Sequence, residues 1–235
     1  MLEDWAALAV AGRAGDPAVL HLLTSPVAGK ISVDAALAIG GDPSLSQDID
    51  EVRAFAPRVR GALINLGMWE RKRGSAADAL LDAVDRPWAL DPVKIERSPA
   101  RRAAAMALAA RKPAAVKANV AEATALGPVD APLWTTGEID SIVAGPTRIG
   151  FHNGHPLMTR TTAIGCAAGA VLAALLAMGA DGFAAAAAAA LICGVAGELA
   201  AARCGGPGSF PAAWIDALGG VDAKTLIRCA RPVDV

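Results

Sequence analysis

The sequence predicts an α/β protein in which a mostly parallel sheet is covered by helices on both faces. Short apolar runs of strand character alternate along the chain with longer amphipathic or alanine-rich stretches. Polar or glycine residues follow the strand-like runs, as they do where parallel strands end. Because α/β folds of 235 residues are often a single unit, we predict one domain spanning 1–235.

The composition favours a folded protein without a charged partner surface. Hydrophobic residues make up 54% of the chain and charged residues 19%, and the formal net charge is −1, so we expect no nucleic-acid or membrane partner. The longest apolar stretch, 167–199, is interrupted at 179–182 and is predicted to form core helices. The acidic N-terminus lacks the features of a secretory signal, so the cytoplasm is the expected location, and the four cysteines are expected to be free thiols.

Helices and strands are predicted in alternation through the first half of the chain. The predicted helices cover 4–13, 33–39, 48–58, 75–84 and 98–111, and the last two are expected to be capped by Ser75 and Ser98. Strands are predicted at 19–24, 61–66, 88–90 and 115–117, with a loop after the first.

The second half is predicted to add a hairpin and long helices. The runs 139–144 and 147–152 flank Gly145-Pro146, which indicates an antiparallel hairpin attached to the parallel sheet. Helices are predicted at 166–178 and 183–204, followed by a glycine-rich loop at 205–210 and a last helix.

Polar and glycine residues directly after predicted strands mark where chemistry is expected. In open α/β sheets, ligands bind beyond the carboxyl ends of the strands. Four such segments stand out: Thr24-Ser25-Pro26, Asn65-Leu66-Gly67, Asp91-Pro92-Val93 and Asn119-Val120-Ala121-Glu122.

Two carboxylates in these segments are candidate magnesium ligands. Asp91 and Glu122 each follow a short apolar run, and carboxylates at neighbouring strand ends can hold Mg²⁺ directly or through water. Spacing alone leaves two alternatives open, because aspartate before proline commonly starts a turn and Glu122 could lie on a solvated helix face.

A candidate anion site lies where the first long C-terminal helix begins. Backbone N–H groups at Gly165-Cys166, together with the positive end of the helix dipole, could bind a phosphate, and the same dipole would lower the pKa of the Cys166 thiol. Many helices begin with glycine, so the signal is weak alone. His155 is read as a polar loop residue rather than a catalytic acid or base, and His21 and His152 as satisfied, half-buried strand residues.

Three segments are specific in combination, namely Thr136-Gly137-Glu138 with Asp140, Asn153-Gly154-His155-Pro156-Leu157-Met158 and Gly206-Pro207-Gly208-Ser209-Phe210. Together they resemble the hydroxyethylthiazole kinases of the ribokinase-like superfamily. The similarity continues upstream through Leu23-Thr24-Ser25-Pro26-Val27 and the other strand-end segments, so it covers most of the chain.

The resemblance implies a three-layer α/β/α fold, a homotrimer with active sites between subunits, and transfer of the γ-phosphate of ATP to a small alcohol. That alcohol is the primary hydroxyl of 4-methyl-5-(2-hydroxyethyl)thiazole, in thiamine salvage. Matched position by position, Asp91 and Glu122 would bind Mg²⁺, Gly165 would belong to the anion hole, and Cys166 would stand where related sugar kinases have a base. The remaining matches are Lys117, Asn119 and Thr136 at ATP, and Leu45, Gly67 and Met68 at the substrate.

The sequence also departs from the family pattern. Where the family has GTGC, this chain has Ala163-Ile164-Gly165-Cys166, so a glycine is lost and Ile164 is expected to crowd the anion site. Lys117 replaces an arginine, and the stretch from Glu122 to Thr136 is expected to be too short for the family's helix and strand. Three hypotheses follow: a divergent kinase that binds ATP weakly, a catalytically impaired protein that binds a thiazole or other heterocycle, and a purely structural subunit.

Overall fold

A nine-stranded sheet forms the centre of the protein. The computed structural model describes residues 1–235. The strands in chain order are β1 (Ala18–Leu23), β2 (Gly41–Ser44), β3 (Gly61–Asn65), β4 (Trp88–Asp91), β5 (Ala115–Asn119), β6 (Leu133–Thr136), β7 (Asp140–Ala144), β8 (Thr147–Phe151) and β9 (Pro232–Val233). Their spatial order is β2-β1-β3-β4-β5-β6-β7-β8-β9. The six strands β1 to β6 run parallel and the last three are antiparallel, which confirms the mostly parallel sheet and the predicted hairpin.

Ten α-helices cover the two faces of this sheet. They are α1 (Leu2–Ala11), α2 (Pro26–Ala38), α3 (Ile49–Phe55), α4 (Arg71–Ala83), α5 (Pro99–Ala109), α6 (Val120–Leu126), α7 (Ile164–Ala177), α8 (Gly182–Ala201), α9 (Phe210–Gly220) and α10 (Ala223–Cys229). Helices α3 to α6 pack on one face, and α1, α2 and α7 to α10 pack on the other. The fold is therefore a three-layer α/β/α sandwich, as predicted.

Strand residues alternate between the two cores, because successive side chains of a strand point to opposite faces. Leu22 of β1 and Leu63 of β3 belong to the larger core beneath α7 and α8, whereas Leu23 and Ile64 belong to the smaller core beneath α3 to α6. Both faces of the parallel strands are thus buried, which explains why these strands read as continuous apolar runs.

Helix α8 is long and apolar enough to cross a membrane, but most of it is buried inside the protein. Its seven consecutive alanines, 184–190, contribute to the larger core, where small side chains let helices approach closely. The alanine tract therefore forms a core helix, as its composition predicted.

Several predicted boundaries are wrong at the amino ends of helices. Residues after Ser25 form the first turn of α2 rather than a loop, and the Ser25 hydroxyl accepts a hydrogen bond from the Ala28 N–H at 3.3 Å. A serine cap followed by proline starts a helix as readily as it starts a turn. Helix α4 begins at Arg71 after Glu70, so Ser75 is not its cap, whereas Ser98 does cap α5. The short strand β2 was not predicted, and the single last helix is in fact two, α9 and α10.

The stretch from Glu122 to Thr136 was expected to lack a helix and strand, and this expectation is wrong. It contains the two-turn helix α6 and the strand β6, which pairs in parallel with β5 through Asn119 and Thr136. Helix α6 begins directly after β5 with no connecting loop. The side chains of Asn119 and Glu122 each accept a hydrogen bond from the other residue's backbone N–H, which caps the helix at the strand end. The sheet is therefore continuous on this side.

Candidate active site

The carboxyl ends of three neighbouring strands bring Asn65, Asp91 and Lys117 into one buried network. Asn65 ends β3 and faces Asp91 at the end of β4, and its amide Nδ2 donates to the Asp91 Oδ2 at 2.7 Å. The ammonium of Lys117, from β5, donates to the Asp91 Oδ1 at 3.3 Å. All three side chains are buried, and Asp91 is only 1% exposed. Parallel strand ends therefore gather a carboxylate, an amide and a cation at one point.

Burial and mutual charge set the protonation of this network. Burial raises the pKa of Asp91 above its ordinary value, and the neighbouring Lys117 opposes that shift. Burial acts to lower the pKa of Lys117, but the negative charge of Asp91, with a smaller contribution from Glu122, outweighs it, so this pKa is raised. Lys117 therefore stays an ammonium and gives the site a fixed positive charge.

Glu122 is fixed by the backbone at the end of β5. Its Oε2 accepts from the Asn119 N–H at 2.8 Å, and its Oε1 accepts from the Lys94 N–H at 2.8 Å. The Asn119 Oδ1 accepts in turn from the Glu122 N–H at 2.9 Å. Glu122 is buried rather than on a solvated helix face, and it ties the turn after β4 to the start of α6.

The amino end of α7 provides free backbone donors beside Lys117. The first N–H groups of a helix have no partner within the helix, and in α7 they belong to Ile164, Gly165 and Cys166. A methyl group added at Gly165 would lie 3.9 Å from the Lys117 Nζ, so the ammonium lies directly beside this helix end. Backbone N–H groups, the helix dipole and a cation together form a site suited to an anion.

Ala163, which stands where the family resemblance implies a glycine, has a strained backbone. Ala163 has φ +69° and ψ +3°, a left-handed conformation that side chains disfavour. The prediction that Ile164 crowds the anion site is wrong, because its side chain is buried in the larger core. The turn that glycine would form freely is thus preserved at the cost of local strain.

The prediction that the helix dipole lowers the pKa of Cys166 is wrong. Burial and the nearby Asp91 raise the pKa of this thiol to about 11. At neutral pH the side chain is therefore a neutral thiol, because thiolate forms appreciably only near the pKa. A thiol in this state is a poor general base.

The predicted substrate residues lie on two turns beside this network. The Gly67 N–H donates to the Asn65 Oδ1 at 2.9 Å, and Gly67 packs against Ser25 at the end of β1. Met68 follows in a left-handed conformation with φ +50° and is 57% exposed. Leu45 follows β2, is 37% exposed and approaches Gly29 of α2. Gly67 is thus part of the hydrogen-bonded network, while Met68 and Leu45 are exposed apolar residues beyond the carboxyl ends of β3 and β2.

Thr136, predicted to face ATP, ends β6 directly beside Asn119 at the end of β5. The turn that follows is held by Asp140, whose Oδ1 accepts from the Gly137 N–H at 3.0 Å. Burial raises the pKa of Asp140 to about 6, and the Gly137 N–H and Lys117 oppose the shift. This turn therefore closes the site on the side opposite β3.

The histidines contribute little to the site. His155 accepts a hydrogen bond from the Leu157 N–H at 3.2 Å, which is the structural role that the loop composition favoured. His21 is hydrogen-bonded as predicted, with Nδ1 2.6 Å from the Ser44 Oγ and Nε2 2.8 Å from the Ser46 carbonyl, but it is fully buried rather than half-buried. His152 is exposed near Glu138, so the half-buried state predicted for it is wrong.

The NGHPLM segment holds the end of the chain in place. The Asn153 Nδ2 donates to the Glu198 Oε1 at 3.0 Å and to the Cys229 carbonyl at 2.9 Å, and its Oδ1 accepts from the Arg231 N–H at 2.8 Å. Arg231 also forms an ion pair with Glu198. These contacts join α8, α10 and β9, so Asn153 has a structural function.

The carboxylates fit Mg²⁺ held through water. Both Glu122 oxygens already accept backbone hydrogen bonds, and both Asp91 oxygens accept from Asn65 and Lys117. Each oxygen keeps a second lone pair, but an ammonium 3.3 Å from Asp91 disfavours a cation bound directly to the same carboxylate. Mg²⁺ commonly keeps several waters and binds proteins through one or two carboxylates, which matches this donor set.

Sequence reasoning missed the role of Asn65. The residue was noted at a strand end, but its bond to Asp91 depends on the register that places the two side by side. The signal was available in principle, because both residues follow buried strands of neighbouring βαβ units.

Comparison with known proteins identifies close relatives. The model of the "HK: Hydroxyethylthiazole kinase family" matches residues 13–133 and 129–224. A probable hydroxyethylthiazole kinase of Agrobacterium fabrum is 35% identical over 216 residues, covering 90% of this chain and 88% of the relative. A hydroxyethylthiazole kinase of Escherichia coli O127:H6 is 32% identical over 227 residues, covering 85% and 88%.

Solved structures share the fold. A hydroxyethylthiazole kinase protein from Pyrococcus horikoshii superposes with a TM-score of 0.93 at 22% identity, covering 98% of both chains. A pyridoxal kinase of Bacillus subtilis in complex with ADP superposes with a TM-score of 0.59 at 18% identity, covering 77% of this chain and 92% of the other. The sheet and both helical layers are therefore shared with these two kinases.

Proposed function

This chain belongs to the hydroxyethylthiazole kinase family, and from that membership and the geometry of the site we propose that it transfers the γ-phosphate of ATP to the primary alcohol of 4-methyl-5-(2-hydroxyethyl)thiazole, a salvage step towards thiamine. The observation that carries the proposal is the buried Asp91–Lys117 pair beneath the unpaired N–H groups of α7. A fixed cation and backbone donors at one point suit the charge of a phosphoryl group in transfer.

Each side of the site has a separate task in this proposal. The N–H groups around Gly165, together with Lys117, stabilise charge on the transferred phosphoryl group. Asn119 and Thr136, which lie side by side at the ends of β5 and β6, contact the nucleotide. Gly67, Met68 and Leu45 border the alcohol and its ring, where exposed apolar surface lies next to the polar network.

Catalysis in this site does not need a thiolate. The Cys166 thiol is neutral because its pKa is raised to about 11, so its place at the transfer point serves packing and weak hydrogen bonding. Phosphoryl transfer depends mostly on positioning and charge stabilisation, so the lack of a strong base at this position is compatible with activity. We assign the positioning to Asp91, which holds both Asn65 and Lys117.

Magnesium would be held through water by Asp91 and Glu122. When bound, the ion would neutralise charge on the phosphates of ATP. Two backbone N–H groups hold the Glu122 carboxylate in a fixed position for such a task.

The case for a catalytically impaired binding protein is weakened by two findings. Helix α6 and strand β6 are both present between β5 and β7, so the segment whose expected loss argued against nucleotide binding is not missing. Ile164 points into the core and leaves the anion site open. No observation favours the binding function over the kinase, and no partner chain is needed to explain the fold.

We further propose a homotrimer that acts in the cytoplasm. Large apolar side chains remain exposed beside the substrate turns, namely Val27 at 60%, Met68 at 57% and Leu45 at 37%. A neighbouring subunit that covers these residues would also enclose the alcohol, which a monomer leaves open to water. Light scattering is expected to give three times the chain mass of 23.6 kDa, and a monomer would contradict the trimer.

The function is tested by ADP production from Mg·ATP with and without hydroxyethylthiazole. Turnover is expected to depend on the alcohol and on magnesium, and Lys117→Met is expected to lower kcat about a hundredfold or more, because the fixed cation is lost. Arg71→Met, an exposed cation on α4, is the matched control and is expected to leave turnover unchanged. Wild-type protein that produces no alcohol-dependent ADP would contradict the proposal.

A further inference from the structure

Arg73 is a fully buried arginine that the proposed chemistry does not use. It lies in the first turns of α4, among the residues that follow the Gly67–Met68 turn, and its side chain is 0% exposed. Its neighbours Arg71 and Lys72 on the same helix are exposed, as surface cations normally are. Burying a guanidinium costs free energy unless it is hydrogen-bonded or paired with an opposite charge. The partners of Arg73 therefore indicate its role.

Both partners of the Arg73 guanidinium are carbonyl groups of the substrate turn. Nη1 donates to the Gly67 carbonyl, and Nη2 donates to the Met68 carbonyl at 3.1 Å. Glu70, which precedes the helix, lies 3.8 Å from Nη2, and the Trp69 ring lies 6.0 Å from the guanidinium carbon. The planar fork of one arginine thus binds two consecutive carbonyls from inside the protein.

The turn that Arg73 holds needs such support. Met68 has φ +50°, a left-handed conformation that costs a residue other than glycine free energy. Paired donors beneath the two carbonyls would stabilise this conformation, because each carbonyl must point towards the guanidinium for its bond to form.

The same turn is linked to the centre of the site. The Gly67 N–H donates to the Asn65 Oδ1, the Asn65 Nδ2 donates to the Asp91 Oδ2, and Lys117 donates to the Asp91 Oδ1. Hydrogen bonds therefore run without interruption from Arg73 to the transfer centre. The series of hydrogen bonds thus links the turn that carries the exposed Met68 to the buried ammonium of Lys117.

We propose that Arg73 is a positioning residue that fixes the Gly67–Met68 turn and thereby sets the affinity of the site for the acceptor alcohol. This inference rests on the proposed function. Because Arg73 bonds the turn directly and reaches Lys117 only through three further residues, its loss affects the acceptor more than the nucleotide.

The test is a steady-state comparison of Arg73→Lys and Arg73→Met with wild-type protein. Arg73→Met removes both hydrogen bonds and is expected to raise the acceptor KM about tenfold or more while the ATP KM changes less than about twofold. Arg73→Lys keeps a charge but not the fork, so it is expected to restore part of the acceptor KM and to keep folding measurable if Arg73→Met unfolds. Arg71→Met on the exposed face of α4 is the control and is expected to change neither KM.

The outcomes separate this inference from the function on which it rests. Wild-type turnover with an acceptor KM that stays within about twofold in both Arg73 variants, or with ATP and acceptor KM values that rise together, overturns the positioning role alone. Wild-type protein without alcohol-dependent turnover overturns the proposed function and the inference with it. A selective rise in the acceptor KM with partial recovery in Arg73→Lys supports the positioning role.

Discussion

Single residues at the strand ends determine what the site can do. Asp91 could have been an ordinary turn residue before a proline, but the structure places its carboxylate between an amide and an ammonium. Glu122 could have faced solvent, but two backbone N–H groups hold it inside. In both cases the spacing in the sequence identified the residue. The register of β3 and β4 then supplied Asn65 to Asp91, whereas the capping box and the turn after β4 supplied the partners of Glu122.

The neutral thiol of Cys166 gives a prediction at the residue scale. With a pKa of about 11, about one Cys166 side chain in a thousand is a thiolate at pH 8, so alkylation by iodoacetamide should be slow and should accelerate up to about pH 11. Mass spectrometry of the modified peptide measures this rate. A rate at Cys166 that levels off near pH 7 would contradict the raised pKa.

Replacing Cys166 by alanine separates packing from catalysis. If the thiol does not act as a base, Cys166→Ala should lower kcat less than about tenfold, because only a weak hydrogen bond and some packing are lost. A loss of a hundredfold or more in ADP production would show that the sulfur takes part in the chemistry.

Asp140 gives a prediction for the pH dependence of stability. Its pKa in the folded protein is raised to about 6, above that of the unfolded chain, so the folded state binds the proton more tightly. Stability is therefore highest below the unfolded pKa and falls as the pH rises towards 6, with a slope of at most about 1.4 kcal/mol per pH unit. The free energy of unfolding in urea between pH 4 and pH 7 measures this slope.

The matched variant for this measurement is Asp140→Asn, which cannot ionise. It should lose this component of the pH dependence and become more stable relative to wild type as the pH rises from the unfolded pKa towards 6. If both proteins show the same pH profile, Asp140 does not titrate near pH 6 in the folded state.

At the scale of elements, helix starts were the least predictable feature. The Ser25-Pro26 pair reads as a turn or as a helix start, and only packing of α2 against α7 and the sheet decides between them. The capping box of Asn119 and Glu122 was visible as a spacing, yet the compact helix it starts was judged absent because the stretch is short. Long alanine-rich helices and the hairpin at Gly145 were predicted correctly, because their signals are local.

The start of α7 gives a prediction at the element scale. Ala163 is left-handed, so Ala163→Gly should leave the free energy of unfolding unchanged or raise it by up to about 1 kcal/mol, because relief of strain exceeds or balances the added flexibility of the unfolded chain. Ala163→Val should lower it by about 1–2 kcal/mol, since β-branched side chains tolerate this conformation poorly.

Urea unfolding of the two variants measures both effects. Ala202, which is exposed at the end of α8 with φ −69°, is the matched control, and its change to valine should cost less than about 0.5 kcal/mol. Equal stabilities for Ala163→Val and wild type would show that residue 163 is not held in the left-handed conformation.

At the scale of the whole molecule, the fold class and most of the motifs were predictable, whereas the state of the site was not. Alternating strands and helices predict a parallel sheet. In a parallel sheet the carboxyl ends of the strands lie along one edge, which is where a ligand is expected. The orientation of Ile164 and the protonation of Cys166 depend on burial, which arises only when α7 packs on the sheet. Two departures that suggested lost activity, Ile164 and the short stretch after Glu122, are accommodated within the fold.

The two cores share one sheet, so we propose that residues 1–235 unfold as one domain. Strands β1, β3, β4 and β5 each contribute buried residues to both cores, and neither core can persist when these strands separate. Urea unfolding followed by tryptophan fluorescence and by circular dichroism should give coincident transitions. Two separated transitions would indicate independent units.

The most direct test of the proposed kinase function is to detect the phosphorylated alcohol by mass spectrometry. Mg·ATP and hydroxyethylthiazole are incubated with wild-type protein, with Asp91→Asn or with Asp216→Asn. Asp91 orients both Asn65 and Lys117, whereas Asp216 lies exposed on α9. We predict hydroxyethylthiazole phosphate from the wild type and from Asp216→Asn, and a rate at least about a hundredfold lower from Asp91→Asn. No phosphorylated product from the wild type, or equal rates from all three proteins, would contradict it.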